Sequence, residues 1–206
     1  MRPRQAALSP TAVRARFAAP LPIGFYDRST TVVARAVLGT WLVVRSGATY
    51  RAARIVETEA YVANDPANHA DRGATRRNAS MFCRPGTLYV YPIHQVHCAN
   101  VVTRPGQAVL LRAAEATTRG LPSLSGPGRL CRALGITRED DGASVLEGRI
   151  RLIDGDRWPR SIVRTRRVGI SRAVERPLRY LWYGHPEVSA PRPWARRRVQ
   201  RSLAQS

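Results

Sequence analysis

Lysine is absent from this chain. All 34 of its basic residues are arginine, set against 14 acidic residues, for a net charge of +20 over 206 residues. Without a lysine there is no side-chain amine to form a Schiff base, which excludes one form of covalent catalysis and leaves the N-terminal amine as the only substitute. Cysteine is scarce. Cys83, Cys98 and Cys131 are scattered, odd in number and without a CxxC pair, which fits free thiols in a reducing compartment better than a disulfide framework. Long apolar runs are missing too: no stretch approaches the roughly 20 residues that span a bilayer, and the first residues lack the apolar core of a signal peptide.

What is present is ordinary in size and unusual in charge. A chain of 206 residues, 44% hydrophobic, is long enough to bury one core. Its arginine excess suits a polyanion, nucleic acid or an anionic membrane, and arginine makes bidentate phosphate contacts. An arginine-rich coding bias is the bland account of the same numbers. Residues 1–19 read as a basic, flexible tail, residues 20–190 as one domain, and residues 191–206 as an Arg-rich tail. From Arg157 to Arg201 there are thirteen arginines and only two acids, Glu175 and Glu187.

Local signals give a mixed pattern. "YDRSTTVVARAVLGT" has a cappable start, apolar residues on one face and Gly39 as a stop, so it predicts a helix. "WLVVRS" and "YRAARIVETEAYV" predict two antiparallel strands around a Ser46-Gly47 turn. "NDPANHADRGATRRNASMF" reads as a long functional loop with a short helical turn. "GTLYVYP" and "HQVHCANVVT" predict a hairpin with its tip near Pro92 and Ile93, and "QAVLLRAAE" a strand. "SGPGRLCRALGI" predicts a helix that starts near Pro127 and stops at Gly135. "GRIRLID" reads as a short strand, and "RRVGISRAVERPLRYLWYG" as a strand, a turn or short helix, and a closing strand. Strands do not alternate regularly with helices, so the expected class is α+β, a mainly antiparallel sheet with helices outside it.

The chemistry concentrates in "VETEAY". Side chains two apart on a strand share a face, so Glu57, Glu59 and Tyr61 should point together and Val56, Thr58 and Ala60 the other way. Glu57 by itself reads as a surface carboxylate paired with Arg51, Arg54 or Arg72. Glu59, beside an aromatic ring, reads as a titrating group on a pocket floor. A carboxylate can act as a general base that activates water, and water aimed at an anomeric carbon hydrolyses a glycosidic bond. Arg-rich grooves hold a phosphate backbone, while Tyr61, Tyr89, Tyr91, His69 and His94 could stack on or bond a base drawn out of a duplex. "HQVHC" invites a metal, but His94 and His97 face opposite ways on a strand and no further ligand pair is evident. Arg129 at the start of the Pro127 helix is a candidate phosphate contact, as is Arg77.

In this order, "VETEAY", a His, "RN..MF", "PGTLYVY", "AN", "VLLRAAE", "GPGRLCRALGI", "VGIS" and "RPLRY" resemble the alkyladenine (3-methyladenine) DNA glycosylase family over roughly residues 25–190. The resemblance implies a single-domain curved antiparallel sheet like a formyltransferase C-terminal domain. It also implies a monofunctional hydrolase that releases alkylated or deaminated purines, of the 3-methyladenine, hypoxanthine and ethenoadenine class, from double-stranded DNA. By the same resemblance Glu59 is the general base and Arg112 helps hold the attacking water. Tyr61 and Tyr91 sandwich the flipped base, His69 touches base and sugar, and Asn100 screens purines at the wall. The backbone around Gly169 and Ile170 matches the segment that closes the water site. Where the family has a tyrosine wedge in the minor groove, this chain has His94. The expectations are a monomer needing no cofactor or metal, in the bacterial cytoplasm beside the nucleoid, without strand-cleaving lyase activity. Two other classes remain open: a non-catalytic nucleic-acid-binding protein, and a glycosidase acting on free nucleosides.

Overall fold

The structure is a computed structural model and describes residues 10–194. Nine strands form one antiparallel sheet: β1 (Trp41–Ser46), β2 (Thr49–Tyr61), β3 (Leu88–Ile93), β4 (Val96–Arg104), β5 (Gln107–Ala116), β6 (Leu124–Ser125), β7 (Ile150–Ile153), β8 (Ile162–Thr165) and β9 (Arg179–Trp182). Its main path runs β3-β4-β5-β2-β1-β7, β6 pairs with β5, and β9 carries β8 while pairing with β2. The helices are α1 (Pro10–Phe17), α2 (Ile23–Tyr26), α3 (Thr30–Ala36) and α4 (Pro127–Leu134). The α+β class expected from the sequence is the one observed.

β2 organises the molecule. Its first half pairs with β1 on one edge, and Glu57, Thr58 and Glu59 pair instead with Leu181, Tyr180 and Arg179 of β9. On its other edge it runs along β5, where the register skips Val56 on β2 and Arg112 on β5. Bulges of this kind bend a strand and re-aim side chains. They also alter the simple alternation. Ile55, Ala60, Val33 of α3, Val37 just after it, and Leu130 and Leu134 of α4 share the main core, and the Thr58 hydroxyl donates to the Ala34 carbonyl. Val56 does not join that face as expected; it packs with Ala113, Leu181, Trp182 and Val188.

Three further expectations are corrected. The basic tail is not a tail from Pro10 onward: α1 buries Val13 and Phe17 against Trp41, Val43 and Ile153. Apolar residues four apart on one helical turn sufficed to dock it. The β3–β4 turn falls at His94 and Gln95, because Pro92 and Ile93 still pair with His97 and Val96. In the 166–178 segment the expected turn is present, closed by Arg176 N on the Ala173 carbonyl, but the strand expected before it lies earlier, at β8. Residues 1–9 and 195–206, the rest of both expected tails, lie outside the described residues.

α4 behaves as its sequence predicts, with Pro127 in its first turn and Gly135 in the left-handed conformation at its end. Its start is pressed onto the hairpin. A Cβ added at Gly128 would lie 2.8 Å from both Cβ and Cγ2 of Val96. Gly128→Ala would gain about 1 kcal/mol of helix propensity at most, whereas overpacking costs about 1–3 kcal/mol. A net loss of stability is expected in urea denaturation; equal or greater stability would show that the hairpin yields freely.

Candidate active site

The strand alternation delivers Glu57, Glu59 and Tyr61 to one side of β2, and β5 delivers Arg112 between the two carboxylates. The Arg112 Nε lies 3.1 Å from Glu57 Oε1 and 3.5 Å from Glu59 Oε1. It makes no well-formed hydrogen bond to either. The two glutamates then differ in what else holds them.

Glu57 is not the surface carboxylate expected. It is wholly buried, and Arg51, Arg54 and Arg72 are not its partners. Arg179 Nε donates to Glu57 Oε1 at 2.6 Å, Ser189 N to Oε2 at 2.7 Å and the Ser189 hydroxyl to Oε1 at 2.9 Å. Arg54 instead bridges Glu115 and Asp156. The reason is the switch of strands beside β2: at Glu57 the neighbour is β9, which brings Arg179, rather than β1. Saturated with donors, Glu57 is a structural anion.

Glu59 is also fully buried, but its donors are fewer. Val168 N donates to Oε1 at 2.9 Å and the Tyr61 hydroxyl to Oε2 at 3.1 Å. Burial pushes its pKa above the ordinary carboxylate value, against the pull of Arg112, the Val168 N–H and Tyr61. That is the environment of a base, since loss of solvent leaves the carboxylate proton-seeking.

Tyr61, Arg112 and Val168, which approach the Glu59 carboxylate, form part of the wall of a pocket of about 670 Å³. The rest of the wall includes His69, Tyr89, Tyr91, Asn100, Gly169 and Ile170. Tyr89 and Tyr91 stack at 5.2 Å, and the His69 ring meets Tyr91 edge-on at 4.4 Å. His69 Nδ1 lies 2.8 Å from the Tyr89 hydroxyl, and burial holds its pKa down, favouring the neutral ring. The Asn100 amide nitrogen donates to the Tyr89 carbonyl at 3.0 Å, which fixes its rotation. The structure thus gathers Tyr61, His69, Tyr91, Asn100 and Arg112 around one cavity with Glu59 behind it. His94 is exposed at the hairpin tip with φ of 50°, next to Ile93 and Val96 on the pocket edge. Arg77 and Arg129 are exposed and lie off the pocket wall.

Sequence reading named neither Val168 nor Asp65 nor Arg167. The backbone around Gly169 and Ile170 lies on the pocket wall, and its bond to Glu59 comes from Val168. Tyr89, read as a ring that could stack on or bond a base, also lies within hydrogen-bond reach of His69. Asp65 and Arg167 are a buried ion pair beside Tyr61 that no local pattern announced. Among the described residues, no group of three or more His, Cys, Asp or Glu is placed to hold a metal, and no helix is long and apolar enough to cross a membrane.

Residues 24–186 match the methylpurine-DNA glycosylase family, a span that contains every residue of this pocket. The chain belongs to that family. It is therefore a DNA glycosylase, a hydrolase of N-glycosyl bonds in DNA repair. A relative from Anaeromyxobacter dehalogenans (strain 2CP-1) is 48% identical over 184 residues, covering 85% of this chain and 88% of that protein. One from Methanoculleus marisnigri is 43% identical, covering 82% and 98%. A third, from Rhodopirellula baltica, is 42% identical, covering 80% and 81%. All three are provisionally named 3-methyladenine DNA glycosylase.

Proposed function

We propose that this glycosylase releases alkylated or deaminated purines, of the 3-methyladenine, hypoxanthine and ethenoadenine class, after the damaged nucleotide has left the duplex and entered the pocket. The observation that carries the reading is the buried Glu59 carboxylate, held at the wall of an aromatic pocket by Val168, Tyr61 and Arg112. Glu59 deprotonates a water that attacks C1′, and the glycosidic bond breaks through an oxocarbenium-like transition state. The Arg112 guanidinium, which lies on the pocket wall beside Glu59, helps to hold that water. An alkylated purine already carries positive charge and leaves readily. A neutral lesion needs its ring protonated or hydrogen-bonded to leave.

Tyr61 and Tyr91 flank the base, the neutral His69 borders base and sugar, and Asn100, its amide held by Tyr89, screens the purine edge. The pocket volume falls in the range of small-molecule sites, and its lining mixes aromatic and aliphatic side chains with polar ones, among them His69, Asn100, Arg112 and Arg172. The product is an abasic site. With no lysine there is no side-chain Schiff base to cleave the strand. The arginine surface, with Arg77 and Arg129 as candidate contacts, holds the phosphate backbone. The enzyme works as a monomer, and a cytoplasmic setting suits its substrate.

Single-turnover release of base from duplex oligonucleotides carrying each of the three lesions, without added metal, tests the reading. Release from at least one lesion supports it. Binding without any release would make the chain a nucleic-acid-binding protein, and equal turnover of free nucleosides would make it a nucleosidase.

His94 occupies the wedge position of the hairpin. Stacking against a base is worth about 1–3 kcal/mol. His94→Ala is expected to slow release from well-paired lesions about tenfold and from mismatched ones far less, since unpaired bases cost less to extrude. Equal rates on paired lesions would remove the wedge role.

A further inference from the structure

Asp65 and Arg167 are 102 residues apart in sequence and meet with both side chains fully inaccessible to solvent. Arg167 Nη1 donates to Asp65 Oδ2 and Nη2 donates to Oδ1 at 2.9 Å, the parallel fork that makes arginine–carboxylate pairs directional. Nη1 also donates to the Ala60 carbonyl at 3.2 Å, so the guanidinium is tied to β2 between Glu59 and Tyr61. Neither partner lies on a strand or helix. Asp65 is on the loop after β2, and Arg167 is on the irregular segment after β8.

What makes this pair informative is its neighbours. The residue after Arg167 is Val168, whose N–H bonds Glu59 Oε1. The guanidinium carbon of Arg167 sits 4.7 Å from the centre of the Tyr61 ring, and Tyr61 bonds Glu59 Oε2. One guanidinium therefore braces both hydrogen-bond supports of the Glu59 carboxylate without touching it. A buried ion pair is an inefficient way to gain stability, because apolar replacements often do as well. Fixing geometry on two irregular segments is a task that apolar packing performs poorly.

We propose that Asp65 and Arg167 are positioning residues that hold the Val168 N–H and the Tyr61 hydroxyl onto Glu59 and so keep the base ionised and aimed. The inference rests on the reading of Glu59 as the base. The charged and titratable groups around Glu59 are Arg112 from β5, Glu57 and Tyr61 from β2, Tyr91 from β3 and Cys98 from β4, with Arg179 of β9 behind Glu57. Burial and Glu57 favour the protonated form. Arg112, the Val168 N–H and Tyr61 oppose them. Once the clamp is removed, Val168 is free to drift away, and Glu59 takes up a proton at higher pH than before.

The test is Asp65→Asn, which keeps the shape and breaks the fork; the Arg167 charge left unpaired would by itself pull the Glu59 pKa down, so an alkaline displacement reports loss of the Val168 and Tyr61 bonds. The acidic limb of the single-turnover base-release profile is expected to move alkaline by about one pH unit, roughly the worth of one charge-assisted hydrogen bond. The rate should be lost mainly at neutral pH and largely recovered in alkali, with DNA affinity unchanged. Titration of the Glu59 carboxyl by carbon-13 NMR in the free protein should show the same displacement. Arg167→Lys, which keeps the charge but loses the fork, should show a smaller displacement in the same direction, and it carries the test if Asp65→Asn does not fold. An unmoved limb with an unmoved Glu59 titration overturns the clamp, whether rates fall uniformly or stay the same. If the wild type releases no base, the functional reading fails instead, and the NMR titration alone then decides whether the clamp exists.

Discussion

Glu59→Gln should reduce single-turnover release of a damaged purine about 10²–10⁴-fold while leaving affinity for lesion-bearing duplex DNA nearly unchanged. Glutamine keeps the shape: its one oxygen can accept the Val168 N–H while its amide nitrogen donates to the Tyr61 oxygen, so the pocket wall should stand. What it cannot do is take a proton. The wild-type rate should rise with pH through the raised pKa of Glu59, because only the ionised form works as a base. In Glu59→Gln that limb should vanish along with most of the rate. A variant retaining more than about a tenth of the wild-type rate would place the base elsewhere, beyond what general-base loss permits.

The neighbouring glutamate should answer quite differently. Glu57→Ala removes the carboxylate that pairs with Arg179, a guanidinium only 1% exposed, and that accepts both Ser189 donors. Breaking a buried pair from one side costs about 3–5 kcal/mol, since the partner charge is left without compensation. A domain of this size has about 5–15 kcal/mol in all, so the variant should lose much of its folded range in urea. A loss below about 1 kcal/mol would mean that solvent reaches Arg179 easily. Two carboxylates two positions apart on one strand thus separate by assay, one by rate and the other by stability.

That separation shows what local sequence could and could not reveal. Period-two alternation correctly put Glu57, Glu59 and Tyr61 on one side of a strand, and a glycine after an apolar helical stripe correctly ended α4. These are properties of a few adjacent residues. The role of Glu57 was misjudged because its partners lie 122 and 132 residues further on, beyond any spacing argument. The Asp65–Arg167 pair escaped notice for the same reason. The skipped residues Val56 and Arg112 come from the pairing of two long strands, which no single strand announces. α1 was lost in an arginine-rich composition whose two useful apolar residues carry the docking. The motif order carried more of the pocket than the physics of any one segment did.

Glu57 also sets where the chain can be cut. The family match ends at residue 186, yet Ser189 gives two bonds to that carboxylate and Arg179 donates to the carbonyls of Ser189 and Pro191. A truncation drawn at the edge of the homology would open the buried anion to solvent on the strand that bears Glu59. A boundary that spares these bonds lies beyond Pro191, and one that also keeps the Trp194 ring on Tyr183 lies beyond Trp194.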